Sequence, residues 1–290
     1  MLEEVEARLR EELHFRDHVT FRPVRAIALA KCKRVRATLV LACARAIGTP
    51  PKLALELAVA VELVHTFSLV HDDIEDGAST RRGHPTVHVV EGIPVAVNVG
   101  DGLHALAWSA LLAIDAPAAG TLDVARLFSI TLDRMVAGQA RDLTWTRDRR
   151  NDLLIEEYVA MVRGKTGALL GFAAAAPASL TGHAAVDALY GFGEQLGIAL
   201  QILDDVASLR SDTQALGKPA GASANGAGSA PALLASATDD GTSAAIALAH
   251  QHWARALEHL RGTDLAEDEE LVAHARTMLA RLLAACAARY

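Results

Sequence analysis

The sequence predicts an all-helical bundle, and three observations lead to this prediction. Hydrophobic residues make up 51% of the 290 residues and aromatic residues only 4%, because alanine and leucine, both strong helix formers, dominate. Apolar residues recur at helical spacing along most of the chain. No stretch of useful length alternates apolar and polar residues as a strand does. We therefore expect a single all-α domain over residues 1–290, with roughly ten or more helices packed around one core.

The individual helices follow from spacing and stop signals. The first segment places Val5, Leu9 and Leu13 on one face. The next apolar segment stops at Gly48 before a Pro-Pro pair, which is a typical helix end. The remaining segments were delimited in the same way. The expected helices cover residues 2–16, 36–47, 53–76, 94–114, 124–140, 155–176, 184–209, 244–260 and 271–289.

One segment, residues 217–241, has a different composition. Its sequence, GKPAGASANGAGSAPALLASATDDG, is rich in glycine, alanine and serine. Because a helical pattern resumes after it, we interpret it as a flexible loop within the domain rather than a linker between domains.

Charge and cysteine usage exclude several classes of function. A formal net charge of −7 argues against a nucleic-acid partner, since phosphate-binding surfaces are usually basic. The scattered Cys32, Cys43 and Cys286 indicate reduced thiols, as in the cytoplasm. The acidic N-terminal segment does not resemble a targeting peptide, and no apolar run approaches the ~20 uncharged residues of a membrane span. We therefore expect a cytoplasmic protein without a transmembrane segment.

An acidic cluster, Asp72, Asp73 and Asp76, ends the apolar helix expected over 53–76. Asp72 and Asp76 are four residues apart and share one helix face. The helix dipole is negative at this end, so close carboxylates are unfavourable there. A bound divalent cation would resolve this conflict, and oxygen ligands suit Mg²⁺. The alternative, a solvated acidic helix end, is disfavoured by the apolar turn before the cluster and the basic segment after it.

A second acidic pair, Asp204 and Asp205, ends another apolar helix. Ser208 stands one turn later, so this cluster has fewer carboxylates than the first. Two buried helices that each deliver an aspartate pair predict facing metal-binding walls in the core of the bundle. Taken alone, the pair fits a solvated helix end better than the first cluster does.

Basic residues accompany both acidic clusters on four separate segments: Lys33 and Arg36, Arg81 and Arg82, Lys165, and Lys218. Paired guanidinium groups bind diphosphate oxygens through bidentate hydrogen bonds, and a helix N-terminus favours anions. Taken alone, an Arg-Arg pair or a lone lysine is usually a solvated surface feature, and the stretch with Lys33 and Arg36 is equally compatible with a surface patch. Together with the acidic clusters, they predict a cavity for more than one diphosphate.

Histidines give two weaker indications. His84 and His88 have a spacing that zinc sites use, but no third ligand follows and neighbouring arginines disfavour a cation. His65 lies two turns before Asp72, where it is either a core histidine or a hydrogen-bonding partner of a diphosphate.

The sequence resembles the trans-isoprenyl diphosphate synthases, or polyprenyl synthetases, of short-chain type such as farnesyl and geranylgeranyl diphosphate synthases. The resemblance runs from about residue 30 to the C-terminus. It rests on VELVHTFSLVHDDIEDGASTRRGHPTVH, VGDGLHALA, GQARDL, RGKTGALLG and LGIALQILDD. It implies an isoprenoid-synthase bundle around a central cavity, a homodimer, and Mg²⁺-dependent transfer of an allylic prenyl group to isopentenyl diphosphate.

The resemblance also implies roles for individual residues. Three Mg²⁺ ions would be held by Asp72, Asp76 and Asp204, supported by Asp73 and Asp205. The allylic diphosphate would be neutralised by Arg81, Lys165 and Lys218. Isopentenyl diphosphate would be held by Lys33, Arg36, His65 and Arg82. Thr166 and Gln201 would line the reacting centre, and Phe67 would close the product channel at fifteen to twenty carbons.

Three departures from the family pattern keep alternatives open. Lys31 and Cys32 replace a glycine pair, Ser208 replaces the third aspartate of the second motif, and the aspartate and lysine expected after Lys218 are missing. A terpene-synthase-like or alternative-acceptor enzyme on the same fold is one alternative, which the matched isopentenyl diphosphate residues disfavour. A weakly active partner subunit of a heteromeric synthase is another, which the intact first acidic cluster disfavours.

Overall fold

A computed structural model describes residues 1–15, 22–30, 32–150, 152–211, 230–235 and 240–287. Over these residues the chain is helical apart from one two-residue hairpin, so the all-α prediction is confirmed. The helices are α1 (Leu2–Phe15), α2 (Arg22–Leu29), α3 (Val35–Ala46), α4 (Pro51–Glu75), α5 (Val87–Glu91), α6 (Ile93–Leu112), α7 (Ala118–Arg147), α8 (Ile155–Val162), α9 (Ala168–Thr181), α10 (Val186–Ser211), α11 (Ala230–Ala235), α12 (Gly241–Leu260) and α13 (Glu269–Ala287).

The centre of the bundle is α9, which is buried along almost its whole length. It packs against α3, α4, α7 and α10. Its run of four alanines, residues 173–176, lets these neighbours approach closely. The helix ends at Gly182, whose φ of 69° is the left-handed conformation of a helix C-terminus.

The long helix α4 lies between α3, α6 and α9. Pro51 occupies its first turn, where a missing N–H is tolerated, and Gly77 follows its end with a φ of 62°. By length and hydropathy, α4 and α6 are each able to cross a membrane, but 61% of the apolar window of α4 is buried by the rest of the protein. The apolar character of α4 therefore reflects its place in the core.

A buried ion pair fixes the start of α3 against α4. The guanidinium of Arg34 lies 2.9 Å from the carboxylate of Glu62, and both side chains are almost fully buried. The other carboxylate oxygen of Glu62 accepts a hydrogen bond from the backbone N–H of Ala37 at 3.2 Å. Arg34 also donates to the carbonyl of Ala28 at 2.6 Å. This arrangement holds the segment that carries Lys33 and Arg36.

Several short elements differ from the expectation. Helices α2 and α5 and the hairpin of β1 (Thr80–Arg81) and β2 (His84–Pro85) are too short to show a periodic pattern. The helix expected over 155–176 is divided by a π-helical turn, Arg163–Gly167, and a 3-10 turn, Asp264–Glu267, precedes α13. Helix α11 falls within the segment expected to be a loop; residues 217–229 and 236–239 of that segment lie outside the described residues, and so does Lys218.

Candidate active site

The acidic end of α4 is held by the hairpin that follows it. Asp73 is buried, and its Oδ1 accepts a hydrogen bond from Nε of Arg81 at 2.7 Å and forms an ion pair with Nη2 at 2.5 Å. The same guanidinium lies 3.4 Å from Oδ2 of Asp72. Because β1 is paired with β2, the side chain of Arg81 is directed back to the helix end. Asp73 therefore positions Arg81 next to Asp72 and Asp76.

Helix α7 and the π-helical turn bring further groups to Asp72. The Nζ of Lys165 lies 2.6 Å from the carboxylate of Asp142 and 3.3 Å from that of Asp72. The Nε2 of Gln139 donates to Glu75 at 2.6 Å and lies 3.4 Å from Asp72. Asp142 and Gln139 were not among the expected site residues. The GQARDL segment was the signal that pointed to them, but only the fold shows which side chains they meet.

Negative charge is in excess at this helix end. Burial raises the pKa of Asp76 to about 6, and the nearby carboxylate of Asp72 adds to the increase. The Oδ2 of Asp73 is buried without a hydrogen-bond partner. Oxygen donors with too few cations around them fit a hard divalent cation such as Mg²⁺. Within the described ranges no three His, Cys, Asp or Glu side chains converge as a preformed metal cage, which fits an ion that takes further oxygens from a ligand.

A basic group surrounds His65, two turns before Asp72 on α4. Its Nε2 lies 3.2 Å from Nη1 of Arg36 and 3.5 Å from Nη2 of Arg82. Burial, reinforced by the positive charges of Arg36 and Arg82, holds the pKa of His65 well below its usual range. The imidazole is therefore neutral and accepts hydrogen bonds from the guanidinium groups. Arg82 is further fixed by donating to the carbonyl of Ile27 at 3.0 Å.

The second acidic pair lies within α10 rather than at its end, because the helix continues about two turns beyond Asp204 to Ser211. Asp204 is nevertheless close to the same basic group. Burial raises the pKa of Asp204, and the positive charges of Lys33, Arg36 and Arg81 oppose that increase. Arg81 also contacts the first acidic cluster. The two acidic clusters therefore share Arg81 as an electrostatic neighbour.

A chain of hydrogen bonds joins Thr166 to Asp205. The hydroxyl of Thr166 donates to Oε1 of Gln201 at 2.9 Å, and Nε2 of Gln201 donates to Oδ1 of Asp205 at 3.0 Å. The Oδ2 of Asp205 accepts from the hydroxyl of Tyr158 at 2.6 Å and from the N–H of Ala230 at 3.4 Å. Tyr158 was not predicted from the sequence, because a buried tyrosine in an amphipathic helix looks like an ordinary core residue.

The π-helical turn that carries Lys165 and Thr166 lies directly against α7. A Cβ on Gly138 would approach the backbone nitrogen of Lys165 to 2.2 Å, so only glycine fits there. The close contact with the backbone of α7 thus fixes the position of Lys165 relative to Asp72.

Phe67 lies one turn below Asp72, between α4 and α6. Its ring centroid is 5.1 Å from that of His104 and 6.0 Å from that of His71. The Nε2 of His104 is buried and has no hydrogen-bond partner. His104 was not predicted, because its position on α6 opposite Phe67 depends on helix packing.

The two histidines considered for zinc do not share a helix. His84 lies in β2 and is exposed, whereas His88 lies in α5. Their spacing of four residues therefore does not place them on one helix face, and that reason for a zinc site is lost.

Comparison with known proteins gives a consistent result. Residues 18–259 match the profile of the Polyprenyl synthetase family. The chain is 38% identical over 194 residues to a short chain isoprenyl diphosphate synthase of Methanothermobacter thermautotrophicus, covering 65% of this chain and 58% of that protein. It is 39% identical over 191 residues to a geranylgeranyl diphosphate synthase of Mycobacterium tuberculosis, covering 65% and 54%. The chain thus matches little more than half the length of these curated relatives.

Solved structures match over nearly the whole chain. A geranyltranstransferase from Thermotoga maritima superposes with a TM-score of 0.80 and 29% identity over 97% of each chain. A polyprenyl synthetase from Streptomyces coelicolor superposes with a TM-score of 0.82 and 26% identity, covering 96% of this chain and 97% of that one. The similarity therefore extends to the segments on both sides of the candidate site.

Proposed function

Because the chain belongs to the polyprenyl synthetase family, we propose that it couples an allylic prenyl diphosphate to isopentenyl diphosphate and releases pyrophosphate. The proposed product is a trans-prenyl diphosphate of fifteen to twenty carbons, with geranylgeranyl diphosphate favoured. The observation that carries this proposal is the two acidic clusters, on α4 and α10, that share Arg81 beside a separate basic group around His65. Such a site accommodates two diphosphates in different positions.

We assign the metal ligands to Asp72, Asp76 and Asp204, with three Mg²⁺ ions expected when substrate is bound. The raised pKa of Asp76 supports this assignment, because burial and the neighbouring carboxylate of Asp72 outweigh the positive charges of Lys165 and Arg81. Bound Mg²⁺ would supply positive charge to the departing diphosphate. Asp73 supports the ligands indirectly, because it holds Arg81 beside Asp72.

We assign the allylic diphosphate to Arg81, Lys165 and Lys218. Burial lowers the pKa of Lys165, but the carboxylates of Asp72 and Asp142 outweigh this effect and raise it overall. Lys165 is therefore cationic and fixed in direction, which prepares it to stabilise negative charge that develops on the leaving group.

We assign isopentenyl diphosphate to Lys33, Arg36, His65 and Arg82. In this arrangement the neutral His65 orients both guanidinium groups while leaving their remaining donors for phosphate oxygens. The terminal double bond of this substrate would then attack the allylic cation. Thr166 and Gln201 would line the site where the two react. By family resemblance, the released diphosphate takes up the proton that the product loses.

Phe67 would close the channel that receives the growing prenyl chain. Ring contacts with His71 and His104 fix the position of its side chain, about one turn before Asp72 on α4. An apolar channel shields the cation from water, which would otherwise capture it.

The test is to incubate the purified chain with Mg²⁺, labelled isopentenyl diphosphate and allylic primers of several lengths, and to identify products by mass. We expect elongated trans-prenyl diphosphates from at least one primer. Asp72→Asn should abolish them, whereas Asp115→Asn, at an exposed carboxylate away from the site, should not.

Other outcomes would favour the alternatives that Ser208 leaves open. Hydrocarbons or prenylated acceptors formed without isopentenyl diphosphate would indicate an alternative-acceptor enzyme. No product with any primer would contradict the proposal and would be consistent with a partner subunit.

We also infer that the protein is a cytoplasmic homodimer. Large apolar side chains are exposed together on α5 and the first turns of α6, at Val89, Val90, Ile93 and Val97. Exposed apolar side chains grouped in this way are typical of a surface that pairs with a second copy.

A further inference from the structure

The hydrogen bonds between Tyr158, Asp205, Gln201 and Thr166 have a fixed direction. An ionised carboxylate only accepts hydrogen bonds, so every group that contacts Asp205 must donate. Tyr158 and the N–H of Ala230 donate to Oδ2, and Gln201 donates to Oδ1. The carboxylate thus determines which end of the Gln201 amide faces it.

The direction of the Gln201 amide determines the direction of the Thr166 hydroxyl. With its NH₂ group turned to Asp205, Gln201 presents Oε1 to Thr166. Since this oxygen only accepts, the hydroxyl of Thr166 must donate to it. The hydrogen of that hydroxyl is then committed to Gln201, and only the oxygen lone pairs remain for anything beside Thr166, whose side chain is partly exposed.

We propose that Tyr158 and Asp205 are positioning residues that lock Gln201 and Thr166 so that an oxygen acceptor, and no O–H donor, is presented to the allylic cation. This inference rests on the proposed prenyl transfer. A fixed dipole whose negative end faces developing positive charge needs no reorganisation during the reaction. Without the carboxylate, the amide is free to turn, and the Thr166 hydroxyl then has no acceptor that holds its hydrogen away from the cation.

The same geometry separates this role from metal binding. Both oxygens of Asp205 already accept hydrogen bonds from three protein donors, and Tyr158 is only 1% exposed. Asp204, by contrast, is exposed beside the basic group. The two neighbouring aspartates therefore have different roles. Asp204 is available to a ligand, whereas Asp205 orients the side chains around it.

The first test measures binding. A diphosphate with a protonated ammonium centre in place of the allylic cation is compared with a neutral isosteric diphosphate by calorimetry. We expect the wild type to prefer the ammonium compound, and Asp205→Asn and Thr166→Val each to lower that preference by about tenfold or more. Thr166→Ser keeps the hydroxyl and should keep most of the preference. Adding Asp205→Asn to Thr166→Val should lower the preference no further, since both act through one group.

The second test measures turnover. Asp205→Asn and, to a smaller extent, Tyr158→Phe should lower kcat, while the KM for isopentenyl diphosphate and the half-saturating Mg²⁺ concentration stay unchanged. The matched control is Tyr190→Phe, which removes a hydroxyl that accepts from Arg134 at 2.7 Å, about four turns before Asp205 on α10. We expect this control to have wild-type kcat. Thermal unfolding of each variant tests whether it folds. If Asp205→Asn does not fold, Thr166→Val is used for the same comparison.

The outcomes are distinct. A wild type without turnover contradicts the proposed function. An active wild type whose ammonium preference and kcat survive Asp205→Asn or Thr166→Val overturns the positioning role. A large shift in the Mg²⁺ requirement of Asp205→Asn also overturns it, in favour of a metal-binding role.

Discussion

At the scale of single residues, the site depends on side chains held in unfavourable surroundings by their neighbours. Asp73 is a buried carboxylate that Arg81 neutralises, and His65 is a partly buried imidazole that burial and two guanidinium groups keep uncharged. Both make hydrogen bonds that direct a cation, so each is an orienting group.

Phe67 is the residue whose change should alter the product most directly. Replacing it with alanine removes the ring that packs on His104 and opens space below Asp72. We expect Phe67→Ala to give longer prenyl diphosphates, measured as the chain-length distribution by mass spectrometry. Leu112→Ala, at the exposed end of α6, is the control, and an unchanged distribution in Phe67→Ala would refute the floor role.

His252 should make stability depend on pH. It is buried, and its Nδ1 lies 2.7 Å from Oε1 of Gln195. Burial, helped by Arg255 and Arg163, lowers the pKa of His252 from 6.5 to about 4. Between these values the unfolded chain binds a proton that the folded chain excludes, so the contribution of His252 is complete above pH 6.5 and is lost as the pH falls toward 4.

The expected loss amounts to as much as about 3 kcal/mol, at about 1.4 kcal/mol for each pKa unit. His252→Gln should reduce the pH dependence of the unfolding free energy over this range, measured by urea denaturation at several pH values. A wild-type pH dependence in the variant would show that other groups are responsible.

At the scale of elements, the approach of two helices sets the position of each functional side chain. The buried pair of Arg34 and Glu62 joins the start of α3 to α4 and thereby holds Lys33 and Arg36 near His65. The contact of Gly138 with the π-helical turn does the same for Lys165.

Glu62→Gln removes the buried counter-ion of Arg34 and leaves it the partly exposed carboxylate of Glu6, 3.6 Å from its Nε. We expect it to lower the unfolding free energy by about 3–5 kcal/mol and to raise the KM for isopentenyl diphosphate, measured by denaturant unfolding and steady-state kinetics. The control is Glu270→Gln, which breaks an exposed ion pair with Arg45 and should cost no more than about 1 kcal/mol. Equal effects of the two variants would contradict the importance of the buried pair.

Gly138→Ala places a methyl group against the backbone of Lys165. We expect a loss of about 1–3 kcal/mol in stability together with a clear fall in kcat, because Lys165 moves relative to Asp72. Ala137→Ser, on the exposed side of the same turn of α7, should change neither quantity. Wild-type kcat in a destabilised Gly138→Ala protein would show that the contact is structural only.

The elements differ in how well the sequence predicted them. Helix α4 was predicted to within two residues because its apolar run is long and ends in charged residues and glycine. Helices α2 and α5, of eight and five residues, carry too few turns for a periodic signal. The sequence missed three site residues, Asp142, Gln139 and Tyr158, for a different reason. Their partners lie on other helices, so only the packed structure shows what they contact.

At the scale of the whole molecule, the helices around α9 support the inference of one domain over the described part of the chain. The all-α class and the family were predictable, because composition, periodicity and the acidic motif are properties of the sequence itself. The relative orientation of the two acidic clusters depends on how α4 and α10 each pack against α9. No local sequence pattern encodes that packing.

The apolar face on α5 and α6 should determine the oligomeric state. We expect the wild type to be a dimer and the double variant Val90→Asp, Val97→Asp to be a monomer, as measured by sedimentation. Both side chains are exposed, so the changes should leave the fold of the protomer intact. The control is Leu154→Asp, an equally exposed apolar residue before α8. A monomeric wild type would contradict the dimer.

The π-helical turn between α8 and α9 contains one residue more than a continuous α-helix would need, as the hydrogen bond from the N–H of Ala168 to the carbonyl of Arg163 shows. Each helical residue turns the chain by about 100°. Shortening this turn by a single residue would therefore rotate all of α8 about its axis and carry Tyr158 away from Asp205, although no residue in contact with substrate had been replaced. The spacing between Tyr158 and Lys165 is thus as much a part of the site as the identity of either residue.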